Sequence, residues 1–347
     1  MANNLHAAKR RTKEGENDSY YTLFNTICYE TSGIPRHLWK GQKVLMNCDE
    51  GVWSNFYEWG NQMFNALELE EVAAVGYNAD GSPARVDIIR RNENGEKEYS
   101  HYYLKGNGDF RDEEGIALIR SYNILITNPP FSLLSEFFKI LIDAVKDETS
   151  ELKYFDFVGN FAATFYKEIW KHFMNEEIRW GFSACDTWFK VPDSYEPRAS
   201  RYKEEVDKDG KIHKYRSLGN IRWFTNFPIE KDIKALKNRS KRWNKGLESG
   251  LYKEYDNMPG VYEMEKVANI PYDLPSGTKI GVPITYMDKH DPNKFKIIGA
   301  WLSSNNPEYG FICGEEGTFI KDGKERKGKL PIVDKVAKNA RIILEKI

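Results

Sequence analysis

The chain has 347 residues, which suits one large α/β domain with a smaller one rather than a single ordinary domain. Hydrophobic residues at 40% and aromatics at 14% are enough to build a core, and no apolar run approaches the roughly 18 residues of a membrane-spanning helix, so a helical membrane protein is excluded. The net charge of −1 excludes no partner, but from Phe227 to the end 22 Lys/Arg stand against 17 Asp/Glu, so that part carries about +5 and the rest about −6.

A modest basic excess at one end can face phosphates or be ordinary solvated surface, and charge alone does not choose between them. The four cysteines, Cys28, Cys48, Cys185 and Cys313, lie far apart without paired spacing. That argues against a zinc site and a disulfide framework, and six histidines without metal or triad spacing add no metal requirement.

Residues 1–16, with Lys9, Arg10, Arg11 and Lys13, lack an apolar signal core and read as a flexible basic arm of a cytoplasmic protein. A helix is expected through Tyr20–Tyr29. Lys43–Cys48 reads as a short buried strand ending in Asp49-Glu50-Gly51, and the aromatic-rich stretch Asn55–Leu67 as a helix. Glu71–Tyr77 is a second strand. Turn signals at Asn78–Gly81 and Asn92–Gly95 frame an inserted hairpin of Arg85–Arg91 and Glu98–Leu104. Gly108-Asp109-Phe110 precedes a helix from Glu113 to Ser121. Asn123–Thr127 is a buried strand that runs straight into Asn128-Pro129-Pro130-Phe131, and Leu133–Val145 follows with helical spacing. Tyr154–Val158, Thr164–Met174 and Ile178–Phe182 continue as strand, helix and strand. Such alternation predicts a parallel sheet with helices on both faces and ligands at the carboxyl ends of the strands. Asp193–Leu218 is highly charged and reads as a mobile loop, with Ile221–Phe227 the last strand of this domain. Lys231–Lys245 is basic, with Asp232 its only acid, and serves equally well as a phosphate-facing helix or a solvated face. Beyond it only Lys296–Trp301 and Phe311–Cys313 read as strands.

The chemistry points to Asn128-Pro129-Pro130-Phe131. An aromatic exocyclic amine is a poor nucleophile because its lone pair is delocalised into the ring. A catalyst must accept hydrogen bonds from both amine hydrogens so that the nitrogen gains tetrahedral character. An Asn side-chain carbonyl supplies one acceptor and the backbone carbonyl of the following Pro the other. Two prolines fix φ and remove donors, which keeps the loop rigid. Phe131 then gives a base flipped out of a duplex a face to stack on. A plain strand-to-helix turn also uses Asn-Pro, but placement after a buried strand favours the catalytic reading.

Asp109 and Phe110, nineteen positions before Asn128, suit a carboxylate that accepts from a cofactor's adenine amino group beside an aromatic that packs on its ring. A turn with a capping Asp is the plainer alternative. Asn47-Cys48-Asp49-Glu50 occupies the first strand's carboxyl end, but lacks the glycine-rich turn usual there. Trp188-Phe189 and Trp223-Phe224 are aromatic pairs that suit a core.

This ordered set resembles the EcoRI-type adenine-specific DNA methyltransferases over roughly Asn17 to Gly299. The matching segments are Asn17 to Thr22, Asn47-Cys48-Asp49 with Ser54-Asn55-Phe56, Gly108 to Arg111, and Thr127 to Ser132. Gly159-Asn160, Thr164 to Ile169, Trp223 to Asn226, Gly281 to Asp288 and Ile297 to Gly299 complete the order. The resemblance implies a Rossmann-like class I methyltransferase sheet over residues 17–228 and a target-recognition, DNA-binding region over residues 229–347. It implies S-adenosylmethionine as methyl donor and double-stranded DNA as acceptor. Asn128, Pro129, Pro130 and Phe131 would then hold the flipped adenine, and Asp109 and Phe110 the cofactor's adenine. Tyr20, Tyr21, Thr22, Asn47, Cys48 and Asp49 would line the methionine end. Lys237, Arg239, Lys241 and Arg242 are the cations set against DNA. A monomer is expected. The chain leaves open whether it acts with a cognate restriction endonuclease on the same site or alone. The family also lacks the glycine-rich first loop, although Asp49-Glu50-Gly51-Val52 departs from its usual consecutive acids and proline. Methyltransferases acting on RNA or on a protein glutamine share the Asn-Pro-Pro-aromatic pattern, but those acting on glutamine usually carry Tyr after the prolines and a glycine-rich first loop. Phe131 and the missing glycines therefore lean towards DNA adenine, and an intact Asn128 and Asp109 speak against a non-catalytic binding module.

Overall fold

A computed structural model describes residues 21–48, 54–183, 187–191, 201–229, 242–302 and 306–347. The chain divides into two units, one drawn from residues up to Ala163 and from Trp180–Glu230, the other from Thr164–Arg179 and from Lys231 onward. The stretch Thr164–Arg179 thus groups with the C-terminal unit.

The first unit begins with β1 (Tyr21–Thr22) and α1 (Phe24–Thr31), followed by β2 (Lys43–Asn47), α2 (Asn55–Met63) and β3 (Glu71–Val75). Next come the hairpin β4 (Arg85–Arg91) and β5 (Lys97–Tyr103), then α3 (Glu113–Arg120), β6 (Ile124–Thr127), α4 (Leu134–Lys146) and β7 (Tyr154–Asn160). After α5 (Lys167–Met174), which lies in the second unit's stretch, come β8 (Arg179–Trp180), β9 (Trp188–Val191), β10 (Tyr202–Val206), β11 (Ile212–Ser217) and β12 (Ile221–Thr225).

Eight of these strands form one sheet in the order β5-β4-β3-β2-β6-β7-β12-β8. Its centre is parallel, with Asn47 opposite Val75, Leu45 opposite Leu125 and Ile126 opposite Asp156. β2, β3 and β6 are buried on both faces and therefore read as unbroken apolar runs rather than alternating ones. A parallel neighbour needs a long crossover, supplied by α2 between β2 and β3 and by α4 between β6 and β7. α4 buries Phe137, Phe138 and Leu141, and Phe137 meets Phe157 of β7 edge-on at 5.5 Å. The expected parallel sheet forms this centre, and the expected hairpin extends it on one side. β4 runs antiparallel to β3, β5 to β4, and β12 to β7. Short turns allow nothing else at β3-β4-β5, since only antiparallel strands join through so few residues.

Two further expectations are corrected. Tyr20–Tyr29 is not one helix: Tyr21–Thr22 is a strand and the helix starts at Phe24. The strand exists because Thr22 pairs with Phe189, a partner far along the chain. The charged segment expected as a mobile loop is, over residues 201–218, the β10–β11 hairpin, turned at Asp207–Gly210 with Gly210 at φ 80. The Asp207 carboxylate holds that turn by accepting from the backbone N–H of Asp209 at 3.0 Å and of Lys211 at 2.9 Å. Together β1, β9, β11 and β10 make a four-stranded antiparallel sheet in that order. Trp223, Phe224 and Phe189 are core residues as expected.

The second unit continues through α6 (Trp243–Glu248), β13 (Glu254–Tyr255), β14 (Met258–Glu263), β15 (Lys279–Val282), β16 (Phe295–Trp301) and β17 (Phe311–Ile312). It ends with β18 (Gly317–Lys321), β19 (Lys324–Gly328), β20 (Ile332–Val333), β21 (Val336–Ala337) and β22 (Arg341–Lys346). A six-stranded sheet, β13-β14-β15-β22-β16-β17, carries two small hairpins, β18–β19 and β20–β21. β16 and β17 stand where their sequence predicts. No helix among the described residues is long and apolar enough to cross a membrane.

This unit centres on a buried ion pair. The Arg341 guanidinium donates to Glu263 at 2.7 Å, with both side chains under a tenth exposed, and the Tyr255 hydroxyl donates to the same carboxylate. Removing one partner strands the other charge without water. Glu263→Ala is therefore expected to destabilise the protein by roughly 3–5 kcal/mol in denaturant unfolding, with the conservative Glu263→Gln intermediate.

Candidate functional site

The parallel register sets the carboxyl ends of β2, β3 and β6 along one edge of the sheet. Asn47 ends β2, and its carbonyl accepts a hydrogen bond from the hydroxyl of Thr127, which ends β6. Asn128 follows Thr127 directly, so the Asn-Pro-Pro-Phe loop starts beside the first strand's end. Cys48 turns the chain there at φ 63, a left-handed conformation that a side-chain-bearing residue adopts only at a cost. It makes the turn for which a glycine was expected.

Asn47 is 4% exposed, and neither side-chain amide atom has a hydrogen-bond partner among the described residues. A buried amide with no partner costs on the order of 1–3 kcal/mol, so a ligand that satisfies it gains that interaction. The Thr22 hydroxyl, also buried, is unpartnered among the described residues in the same way. The Thr22 carbonyl accepts from Asn55 Nδ2 at 2.7 Å. Asn55 opens α2, the helix that follows β2, which ties β1 to this end of the sheet. Ser54 caps α2 by accepting from the N–H of Phe56 at 3.0 Å.

The β4–β5 hairpin leaves the end of β3 and brings the chain back to it. The Asn78 N–H donates to the Asn107 carbonyl at 2.8 Å, and Asn107 Nδ2 donates to the Asn78 carbonyl at 3.2 Å. Gly108 has φ 84, and a Cβ there would stand 2.1 Å from the Gly76 carbonyl oxygen. A Cβ on Gly115 of α3 would stand 2.4 Å from the Asp109 carbonyl oxygen. These two close approaches press Asp109 and Phe110 between β3's end and α3. The Asp109 carboxylate accepts from Arg111 Nε at 2.9 Å, from Nη2 at 2.6 Å, and from the Arg111 backbone N–H at 3.0 Å. Arg111 also reaches Glu136 at 3.3 Å, and its two acidic partners, Asp109 foremost, raise its pKa above the ordinary range. Phe110 is only 5% exposed and meets Phe137 edge-on at 5.0 Å. Sequence reasoning does not single out Gly108, Gly115 or Arg111 as site residues, although the glycine directly before Asp109 is visible as a turn signal.

In the Asn-Pro-Pro-Phe loop Pro129 is buried, and Asn128, Pro130 and Phe131 are half-buried. Pro130, at φ −57, passes the chain into a 3-10 turn over Phe131–Leu133, and its carbonyl accepts from the Leu133 N–H at 2.9 Å. Phe131 packs against the main apolar core, which fixes its position while leaving part of the ring exposed.

Other expected site residues are placed elsewhere. Successive strand residues face opposite sides of a sheet, so Tyr21, 46% exposed, points away from buried Thr22. Tyr21 instead shares a cross-strand row with Lys190, Tyr215 and Lys203, and Lys203 Nζ lies 5.0 Å from the Trp188 ring centre. Arg242 precedes α6 in the second unit, its guanidinium 5.8 Å from the Tyr272 ring centre. Tyr20, Asp49, Lys237, Arg239 and Lys241 lie outside the described residues.

Comparison with known proteins places the chain in a family. A family model described as "Adenine-specific methyltransferase EcoRI" matches residues 4–346. The chain is similar to the Type II methyltransferase M.MpnI of Mycoplasma pneumoniae, with 31% identity over 292 residues, 83% of this chain and 84% of that protein. It is 30% identical over 308 residues to the Type II methyltransferase M.EcoRI of Escherichia coli, covering 85% of this chain and 88% of that one. M.MgeORF184P of Mycoplasma genitalium, also a Type II methyltransferase, is 26% identical over 343 residues, 97% and 98% of the two chains.

Gly108→Ala tests how this edge is held. A Cβ must displace the Gly76 carbonyl and adopt a left-handed backbone. The variant is expected to lose roughly 1–3 kcal/mol of stability and to fold with Asp109 displaced. Thermal unfolding measures the first effect, and affinity for the methyl donor, expected to weaken at least about tenfold, measures the second.

Proposed function

Because the chain belongs to the EcoRI family of adenine-specific methyltransferases, we propose that it transfers a methyl group from S-adenosylmethionine to the exocyclic amino nitrogen of an adenine flipped out of duplex DNA. Asn128-Pro129-Pro130-Phe131 is the catalytic loop. The sheet order, with four parallel strands at its centre and the reversed β12 between β7 and β8, supports a Rossmann-like class I methyltransferase domain in the first unit. The second unit is assigned to target recognition.

The observation that carries the reading is the internal use of one loop carbonyl. The Pro130 carbonyl is committed to the turn through Leu133. In this reading the Pro129 carbonyl and the Asn128 side-chain carbonyl accept from the two hydrogens of the substrate amine. With both engaged, the nitrogen lone pair leaves conjugation with the ring and becomes nucleophilic. Because neither carbonyl is a base, the proton released on forming the N–C bond passes to solvent. The exposed part of Phe131 stacks on the extruded base, offsetting some of the stacking energy given up by the duplex.

The residues present fit the methyl donor. Bound S-adenosylmethionine supplies a methyl group on a positively charged sulfur. The buried Asn47 amide, with one donor group and one acceptor, and the Thr22 hydroxyl match the carboxylate and ammonium of its methionine end. Arg111 holds the Asp109 carboxylate in a fixed plane, which orients it towards the donor's adenine. With little of its ring exposed, Phe110 forms a wall of that subsite.

Purified protein and tritiated S-adenosylmethionine are expected to label duplex DNA as 6-methyladenine. Asn128→Ala is expected to lower kcat by at least about 100-fold, the scale of losing one preorganised transition-state interaction, while DNA affinity stays within about twofold. Label found only in RNA or protein would refute the reading.

A further inference from the structure

An exposed concentration of positive charge lies late in the chain, in the β18–β19 hairpin. From Gly317 to Lys329 there are five basic residues, Lys321, Lys324, Arg326, Lys327 and Lys329, against Asp322 and Glu325, in a chain whose net charge is −1. All seven are exposed. Arg326 lies 3.9 Å from Asp322, while none of the four lysines forms an ion pair among the described residues. Lys321 and Lys324 stand directly opposite each other at the tip. Like charges in that position weaken a hairpin unless an anion lies near them.

The root is fixed. Phe319 is buried, and the Ile320 N–H donates to the Lys335 carbonyl at 2.9 Å. A Cβ on Gly317 would stand 2.8 Å from Ile332 Cδ1, so the strand lies hard against β20. The tip is a two-residue turn with Asp322 at φ 54 and Gly323 at φ 70, the geometry that keeps paired strands in register. That register puts Thr318 opposite Lys327 and Ile320 opposite Glu325 on one face, with Phe319 opposite Arg326 on the other. The first face exposes Ile320 at 57%.

We propose that this hairpin enters the major groove of duplex DNA, reading base edges with Thr318, Ile320, Glu325 and Lys327 and holding phosphates with Lys321 and Lys324. The inference rests on the DNA substrate proposed above. A two-stranded ribbon is one of the elements the major groove admits. Each residue on the outward face has a base-edge counterpart: Lys for guanine O6 and N7, Glu for the cytosine amine, an aliphatic group for the thymine methyl, and a hydroxyl for either kind of edge. The cations at the tip supply what the groove walls require.

The test uses full-length enzyme, with the site it methylates located by long-read sequencing. Binding is then measured on a duplex holding that site and on a scrambled one. Lys321→Gln with Lys324→Gln is expected to weaken binding to both duplexes alike and to reduce the slope of log K against log salt by about 1.8, at roughly 0.9 for each phosphate no longer neutralised. Ile320→Ala with Glu325→Gln is expected to leave the slope unchanged and to cut discrimination between the duplexes at least about tenfold. S-adenosylmethionine affinity, unchanged in both, reports an intact fold. If the wild type methylates DNA but both variants match it in slope and discrimination, the hairpin assignment is overturned alone. A wild type that methylates no duplex overturns the proposed function and this inference with it.

Discussion

The buried hydrogen bond from the Thr127 hydroxyl to the Asn47 carbonyl couples the two halves of the proposed chemistry. Thr127 ends the strand that delivers the proposed catalytic loop, and Asn47, proposed to meet the methyl donor, ends the other strand with a side-chain amide that has no partner among the described residues. β2 and β6 pair directly through Leu45 and Leu125, so the bond extends the ladder past its last backbone pairing. A rigid strand end on each side holds the two groups in fixed register before any ligand arrives. For methyl transfer such register is most of the problem, because the reaction needs in-line approach more than it needs acid or base.

Rigidity in the loop has a second source. The two prolines remove backbone donors where an amine must be the donor, and the 3-10 turn consumes the one carbonyl that would otherwise compete. The Asp109 side shows the same economy. Two glycines let backbone segments approach within distances that a Cβ would forbid, and Arg111 locks the carboxylate between them. Both subsites are therefore shaped by backbone packing, with few side-chain rotamers left to choose.

Much of the first unit is legible in the sequence because its central strands are buried on both faces and its crossovers are helices. β2, β3, β4, β6 and α4 fall within a residue or two of where periodicity and turn residues put them. What stays hidden depends on partners far along the chain. Tyr21–Thr22 is a strand only because β9 lies beside it, and nothing local distinguishes it from the start of α1. The β10–β11 hairpin is polar on both faces, so its period-2 pattern carries no hydrophobic contrast. Most strands of the second unit are two to six residues long and separated by turns, too short for any window to register. Of the proposed site, Asn128 and Asp109 are singled out from the sequence by chemistry and spacing. Arg111 is not, since its contacts arise from a fork closed onto Asp109 two residues back and onto Glu136 in α4.

The absent glycine-rich loop shows how chemistry and backbone can part company. In a dinucleotide or methyl-donor site, glycines after the first strand allow a left-handed turn and a close approach to the ligand. Here Cys48 makes the left-handed turn at φ 63. A left-handed non-glycine residue persists only where its surroundings over-determine it. The surroundings are at hand: Asn47 before it is held through Thr127, and α2 after it is capped by Ser54 and tied to β1 by Asn55. With Asn47 held on one side, Cys48 keeps its left-handed conformation without a glycine. The cost of the strained residue is borne by the same interactions that hold the two subsites in register, so loosening them would relax the turn and misalign the site together.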